Sequence, residues 1–121
     1  VRRMMDREIK ARWVAALRSG EYEQGRGRLR DSQDRFCCLG VLCDIAFKDG
    51  MIDEPVFSDI DNGYLYEGAV GVLPWAVEDW SGLNEDDPWV DTPLGPWKVS
   101  VLNDQGDSFE SIADLIEGSD L

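Results

Sequence analysis

The stretch RFCCLGVLCDIAF, Arg35 to Phe47, decides how the rest of this 121-residue chain is read. It places three cysteines within seven positions of a chain that contains no histidine. At helical spacing Phe36, Leu39, Gly40, Cys43 and Phe47 share one face, and Cys38, Leu42 and Ile45 line the next. Only the stripe of Cys37, Asp44 and Lys48 is partly polar. A helix that is apolar around most of its circumference is enclosed by other elements rather than laid on a surface. The pattern therefore predicts a buried helix over about 34–48, stopped by Gly50. Within it Gly40 costs about 1 kcal/mol of helix propensity relative to alanine, which is offset if a neighbouring element approaches closely there. The cysteines are then small apolar core residues. As metal ligands they are badly placed, because adjacent helical positions point about 100° apart and tetrahedral zinc needs four N or S ligands. As nucleophiles they lack a histidine base. Cys37, on the partly polar stripe, is expected to be the most reactive of the three.

Working outward, a preceding helix is predicted over about 6–19, with Ile9, Trp13, Ala16 and Leu17 on its core face and Gly20 as its stop. Between the two helices lies EYEQGRGRLRDSQDR, a polar loop or edge strand with Arg26, Arg28 and Arg30 at alternating positions. After the cysteine helix, PVFSDIDNGYLYEG reads as a hairpin turning at Asn62-Gly63. LPWAVEDWSGL reads as a short helix entered at Pro74 and left at Gly82. NEDDPWVDTPLGPW reads as a loop punctuated by three prolines, and Lys98 to Leu102 as either strand or short helix. A last helix is predicted over about 108–117, with an Asp107/Glu110 capping box and Phe109, Ile112, Ala113 and Ile116 on its apolar face. These elements make one α+β domain spanning 1–121: three or four helices around the buried cysteine helix, with a small antiparallel sheet built on the 56–66 hairpin. An all-α domain carrying a single hairpin is the alternative.

Composition bounds the function. The chain is 43% hydrophobic and 31% charged, an ordinary globular balance. No window approaches the roughly 18 apolar residues of a membrane span. No basic-then-apolar leader opens it, and three cysteines leave an odd thiol in any disulfide scheme, so a reduced, cytoplasmic protein is expected. Net charge is −13, unevenly spread. Residues 1–36 hold ten basic against six acidic residues, a net +4, whereas residues 37–121 hold two lysines against nineteen acids, a net −17. Such a surface repels nucleic acid and anionic membrane and attracts basic proteins at long range.

Several constellations were weighed as sites. Glu85, Asp86, Asp87 and Asp91 form the densest acidic cluster, a candidate surface for a basic partner. Arg26, Arg28 and Arg30 lack the lysine and third glycine of phosphate-binding loops, yet arginines grip phosphate or carboxylate bidentately, so they form an alternative anion site. Asp59 and Asp61 do not make a calcium loop: Tyr64 stands where the glycine belongs and the bidentate acid is missing. LNDQGDSFESIADLIEG has the outline of a helix-turn-helix, but its second helix carries Glu110, Asp114 and Glu117 and no cation, which opposes phosphate contact. The five tryptophans are read as anchors of a small core. No cofactor and no catalytic constellation emerges, so the chain is read as a non-enzyme.

ALRSGEYEQGRGRLR (16–30), FCCLGVLCDIA (36–46), LPWAVEDWSGL (73–83) and LNDQGDSFESIADLIE (102–117) together resemble a family of short proteins of unknown function encoded by tailed phages and prophages. The four blocks cover just under half of the chain in a single order. The resemblance implies provenance and a bacterial cytoplasm, and brings no catalytic residue. The expectation is an accessory protein whose acidic surface occupies a basic, even nucleic-acid-binding, site on a host or phage protein. The alternative is a protein that sequesters a nucleotide or other small anion through its arginine loop.

Overall fold

The computed structural model describes residues 4–83 and 85–121; Arg2 and Arg3 of the basic segment, and Asn84 at the head of the acidic loop, lie outside them. Helix α1 (Arg7–Arg18) is capped by Asp6, whose carboxylate accepts the Ile9 amide at 3.0 Å. It buries Ile9, Trp13, Val14 and Leu17, the face that its spacing predicts. Three two-residue strands follow, β1 (Glu23–Gln24), β2 (Arg30–Asp31) and β3 (Arg35–Phe36). Helix α2 (Cys38–Lys48) is the predicted cysteine helix, and every residue from Cys38 to Ala46 is buried. Strands β4 (Val56–Ser58) and β5 (Gly63–Leu65) form the expected hairpin, but Gly63 pairs with Ser58 inside the ladder, so the turn is the four residues 59–62 and only Asn62, at φ 52°, takes the left-handed conformation expected of both Asn62 and Gly63. Together the five strands make a sheet of order β1-β3-β2-β5-β4, parallel only between β1 and β3. Helix α3 (Trp75–Ser81) ends at Gly82 in the left-handed region, at φ 83°.

Strands β6 (Trp89–Thr92) and β7 (Gly95–Lys98) form a second, separate hairpin, followed by α4 (Val99–Gln105) and α5 (Phe109–Glu117). The domain is α+β, with five helices among the described residues. Helix α2 runs through the middle, touched by α1, α3 and α4, while α1 packs most extensively on α5. Cys38 is tied into this core on three sides. Its carbonyl accepts Trp13 Nε1 at 2.9 Å, its amide donates to Asn103 Oδ1 at 3.2 Å, and its thiol lies 3.6 Å from the Val99 carbonyl. Gly40 faces the Leu29 backbone so closely that an added Cβ would lie 1.7 Å from the Leu29 oxygen. The expected close approach is therefore present, and its partner is the chain entering β2.

Four expectations are corrected. The cysteine helix starts at Cys38, four residues later than its periodicity predicts. Asp34 holds φ 59°, outside any helix, because Asp31 Oδ1 accepts the amides of Gln33 and Arg35 at 2.9 and 3.0 Å and closes a turn instead. Cys37 is consequently the helix N-cap rather than part of a polar stripe, and it is as buried as its neighbours. The proline-rich segment forms the β6–β7 hairpin because its prolines sit where a two-stranded ribbon asks for no further amide donor. The undecided Lys98–Leu102 is divided: Lys98 closes β7 and Val99 opens α4, which adds a helix to the three or four expected. Helix α5 is capped by Ser108, which accepts the Ser111 amide at 3.1 Å, one residue later than the Asp107/Glu110 box.

Candidate functional site

The acidic cluster divides on folding. Asp87 is buried, and its carboxylate accepts the Ser100 amide at 3.1 Å and the Ser100 hydroxyl at 2.5 Å. It caps the first turn of α4 from a distant loop and presents no charge to a partner. Asp86 and Asp91 are exposed and Glu85 is half-exposed. Glu85 and Asp86 lie beside Glu78 of α3, whose carboxyl is pushed above its ordinary range by burial and then by these two neighbours. Asp91 stands apart on β6, where its amide donates to Ser119 Oγ at 2.9 Å and ties the hairpin to the end of α5.

The tryptophans depart from the core reading. Trp13 is buried and Trp80 packs against the core, but Trp75, Trp89 and Trp97 are exposed. The strand register explains the last two. Val90 pairs with Trp97 and Trp89 with Lys98, so Val90 and Trp97 share one face of the ribbon while Trp89 and Lys98 share the other. On that outer face the Lys98 ammonium sits 5.6 Å from the Trp89 ring centre. On the inner face Val90 enters the core, but Trp97 stays 41% exposed because α4 and α5 do not cover that end of the ribbon.

The uncovered end is a groove of about 630 Å³ between the β6–β7 hairpin and α4–α5. Leu94 at the hairpin tip, Trp97, Leu102 of α4 and Leu115 of α5 supply its apolar surface, and Leu94 is 89% exposed. Asp107 and Asp114 stand in its wall, and among the described residues no lysine or arginine lines it. Arg18 of α1 reaches Asp114 at 2.5 Å and Glu117 at 3.2 Å. Helices α4 and α5, turning at Gly106, do have a helix-turn-helix outline, and this acidic surface is what they present.

The alternating arginines also separate. Arg26 and Arg28 line a second, polar cleft with Arg35, whereas Arg30 turns away to bond Asp34 and to stack on Tyr64 and Phe36 at 4.2 and 5.3 Å. Sequence reasoning missed Arg35 because it placed this residue in a helix. The turn residues DSQD between Arg30 and Arg35 were the available signal. It likewise missed Leu94, although TPLG, with proline second and glycine fourth, marks a tight turn between strands; Trp97 it offered, with Trp89, as an exposed apolar surface should the acidic cluster fail.

None of the three thiols is poised for chemistry. Burial pushes Cys37 up to about 11 and drives Cys38 and Cys43 well above the ordinary thiol range. Among the described residues no three cysteine, aspartate or glutamate side chains converge in a way that could hold a metal ion. Nor is any helix among them long and apolar enough to cross a membrane. The family model of a domain of unknown function, DUF8296, matches residues 5–120. No curated protein and no solved structure matches the chain.

Proposed function

We propose that this chain, which belongs to the DUF8296 family, is an interaction protein that docks a basic amphipathic segment of a partner protein in the groove between the β6–β7 hairpin and α4–α5. The observation that carries this reading is the combination of an open apolar surface with carboxylates in its wall and, among the described residues, no lining cation. Binding energy concentrates where a large aromatic is desolvated, which is the role of Trp97 with Leu94 beside it. Asp107 selects a cationic flank, whereas Asp114 already shares its charge with Arg18. The exposed Asp86 and Asp91, with the half-exposed Glu78 and Glu85, add long-range attraction, effective over roughly 8 Å at physiological salt. The partner is then a host or phage protein with a basic surface. A tailed-phage or prophage provenance, a bacterial cytoplasmic setting and a non-catalytic role complete the reading, supported by the four resembling sequence blocks and by thiols held protonated in the core.

The test uses two model helical peptides, one of leucine and lysine and one of leucine and glutamate, titrated against the full chain while following tryptophan fluorescence. The lysine peptide should bind, its association slowing as salt rises. Leu94→Ala should weaken binding while barely moving the melting temperature, because Leu94 is 89% exposed, and adding Trp97→Ala should abolish binding at some cost in stability, because Trp97 is more than half buried. Asp107→Asn with Asp114→Asn should reduce the on-rate. Equal binding of both peptides, or binding that survives loss of Trp97 and Leu94, refutes the groove.

A further inference from the structure

The polar cleft lies at the opposite kind of surface, in the basic first third of the chain. It encloses about 350 Å³ between the loop after β1, the β2–β3 turn and the β4–β5 turn. Three arginines line it, Arg26, Arg28 and Arg35, against one acidic residue, Asp31. The lining is thus net +2 in a chain of net charge −13.

How each charge is committed decides what the cleft can do. Asp31 is fully occupied: Oδ1 accepts the Gln33 and Arg35 amides, and Oδ2 accepts Arg35 Nε at 2.9 Å. Burial works against ionisation of this carboxyl, but those amides and the guanidinium outweigh it and hold it below the ordinary carboxylate range. Arg35 thereby has its Nε fixed and its terminal nitrogens left over. Arg28 donates Nε to the Asp61 carbonyl at 2.6 Å, a neutral partner that orients the guanidinium without cancelling its charge. Among the described residues Arg26 pairs with no carboxylate, and its Nη2 lies against Gly106. Three cations held together with a single counter-charge repel one another, and an anion relieves that repulsion.

A second observation shows that the arginine stems are seated. A Cβ on Gly63 would lie 2.9 Å from Arg28 Cδ, and a Cβ on Gly25 would lie 2.8 Å from Arg35 Cβ. Neither glycine has a positive φ, so the backbone does not demand glycine at these positions. What the missing side chains allow is the close approach of Arg35 and the Asp31 carboxylate at Gly25, and of both the Arg28 stem and the Arg30 carbonyl at Gly63.

We propose that this cleft is a binding site for a small phosphate monoester with a polyol body, such as a phosphorylated sugar. The phosphate carries close to two negative charges at neutral pH and matches the net +2. Planar guanidinium groups grip its oxygens in pairs. The volume falls at the small end of ligand cavities, about 300–1,000 Å³, which suits a pentose phosphate and not a polymer. Ser32, Gln33 and Asn62 offer hydroxyl-matching polar groups, and among the described residues no aromatic ring lines the cleft to stack on a base. Arg30, spent on Asp34 and two rings, has no part in it.

The proposal goes beyond the docking groove and is tested separately from it. Ribose 5-phosphate, ribose, inorganic phosphate and a short single-stranded oligonucleotide are each titrated into the full chain by calorimetry at 0.15 M salt. Ribose 5-phosphate should bind saturably, inorganic phosphate at least 10-fold more weakly, and ribose not at all. Arg28→Gln and Arg26→Gln should each weaken ribose 5-phosphate at least 10-fold, and Arg26→Gln, which breaks no hydrogen bond among the described residues, should do so with an unchanged melting temperature. Arg30→Gln and Trp97→Ala should leave it unchanged. The proposal is overturned if no saturable binding occurs, if binding ignores Arg26 and Arg28, if inorganic phosphate matches the sugar phosphate, or if the oligonucleotide binds more tightly than either.

Discussion

Substituting Gly40 tests the contact on which the fold turns. On propensity alone Gly40→Ala should stabilise α2 by about 1 kcal/mol. Packing opposes it. The new Cβ would lie 1.7 Å from the Leu29 oxygen and 2.6 Å from its carbonyl carbon, whereas ordinary contact begins near 3.4 Å. Leu29 would have to retreat by roughly 1.7 Å. It is poorly free to do so: its side chain is fully buried, its amide donates to the Val70 carbonyl at 2.8 Å, and the next residue, Arg30, pairs with both β3 and β5. Overpacking by one methyl costs about 1–3 kcal/mol even where only side chains must move, and here backbone must move. Taking about 3 kcal/mol and subtracting the propensity gain leaves a net loss of about 2 kcal/mol. At about 2.1 cal/mol/K of unfolding entropy per residue, that lowers the melting temperature of a chain this long by about 8 °C. Thermal unfolding followed by circular dichroism reads the effect, with Gly71→Ala as the control. A Cβ at Gly71 would meet only the Gly27 oxygen at 3.8 Å, and φ there is not positive, so its melting temperature should stay level or rise slightly. A Gly40→Ala protein that melts at or above the parent temperature would show that the α2–Leu29 approach is not tight.

Three further outcomes are expected. Thiol labelling of the native protein should leave Cys37, Cys38 and Cys43 all protected until denaturant is added, and rapid modification of Cys37 alone would mean that the N-cap of α2 is open. Asp87→Ala should cost about 1 kcal/mol by uncapping α4, whereas Asp87→Asn, whose amide oxygen still accepts the Ser100 amide while its NH2 donates to the Ser100 hydroxyl, should cost less in chemical denaturation; equal losses would mean the charge rather than the cap matters. Because Asp31 has its folded-state pKa below the ordinary value of 3.8, its contribution is present at neutral pH and is lost as pH falls through the depressed folded value. Asp31→Asn should therefore be less stable than the parent at pH 7, by about 1–2 kcal/mol, and the gap should close toward pH 2; a gap that widens on acidification would contradict the ion-pair account.

Properties that depend on near neighbours along the chain were legible from the residues alone. Apolar spacing placed α1, α2 and α5 to within a few residues, and it identified α2 as enclosed because nearly every face of it is apolar. Gly40 announced a close approach, since a glycine inside an otherwise continuous helix needs a packing reason. Asn62 marked the hairpin by turn chemistry, although Gly63 belongs to the strand rather than the turn, and the excess of acids after residue 36 stands whatever the fold. What required the tertiary structure was which distant groups meet and which charges remain available. Asp87 looked like surface charge until Ser100, 13 residues away, took both its oxygens. Arg30 and Arg35 exchanged roles because the Asp31 turn folded β3 back onto β2, sending one guanidinium onto Tyr64 and Phe36 and the other into the cleft. Trp97 resembled every other tryptophan until its strand register set it beside Val90, at the end of a ribbon that α4 and α5 leave uncovered. Spacing along the chain fixes the direction of a side chain relative to its own element, but the company it keeps is decided by the approach of other elements, and those distances are set by packing the whole core at once.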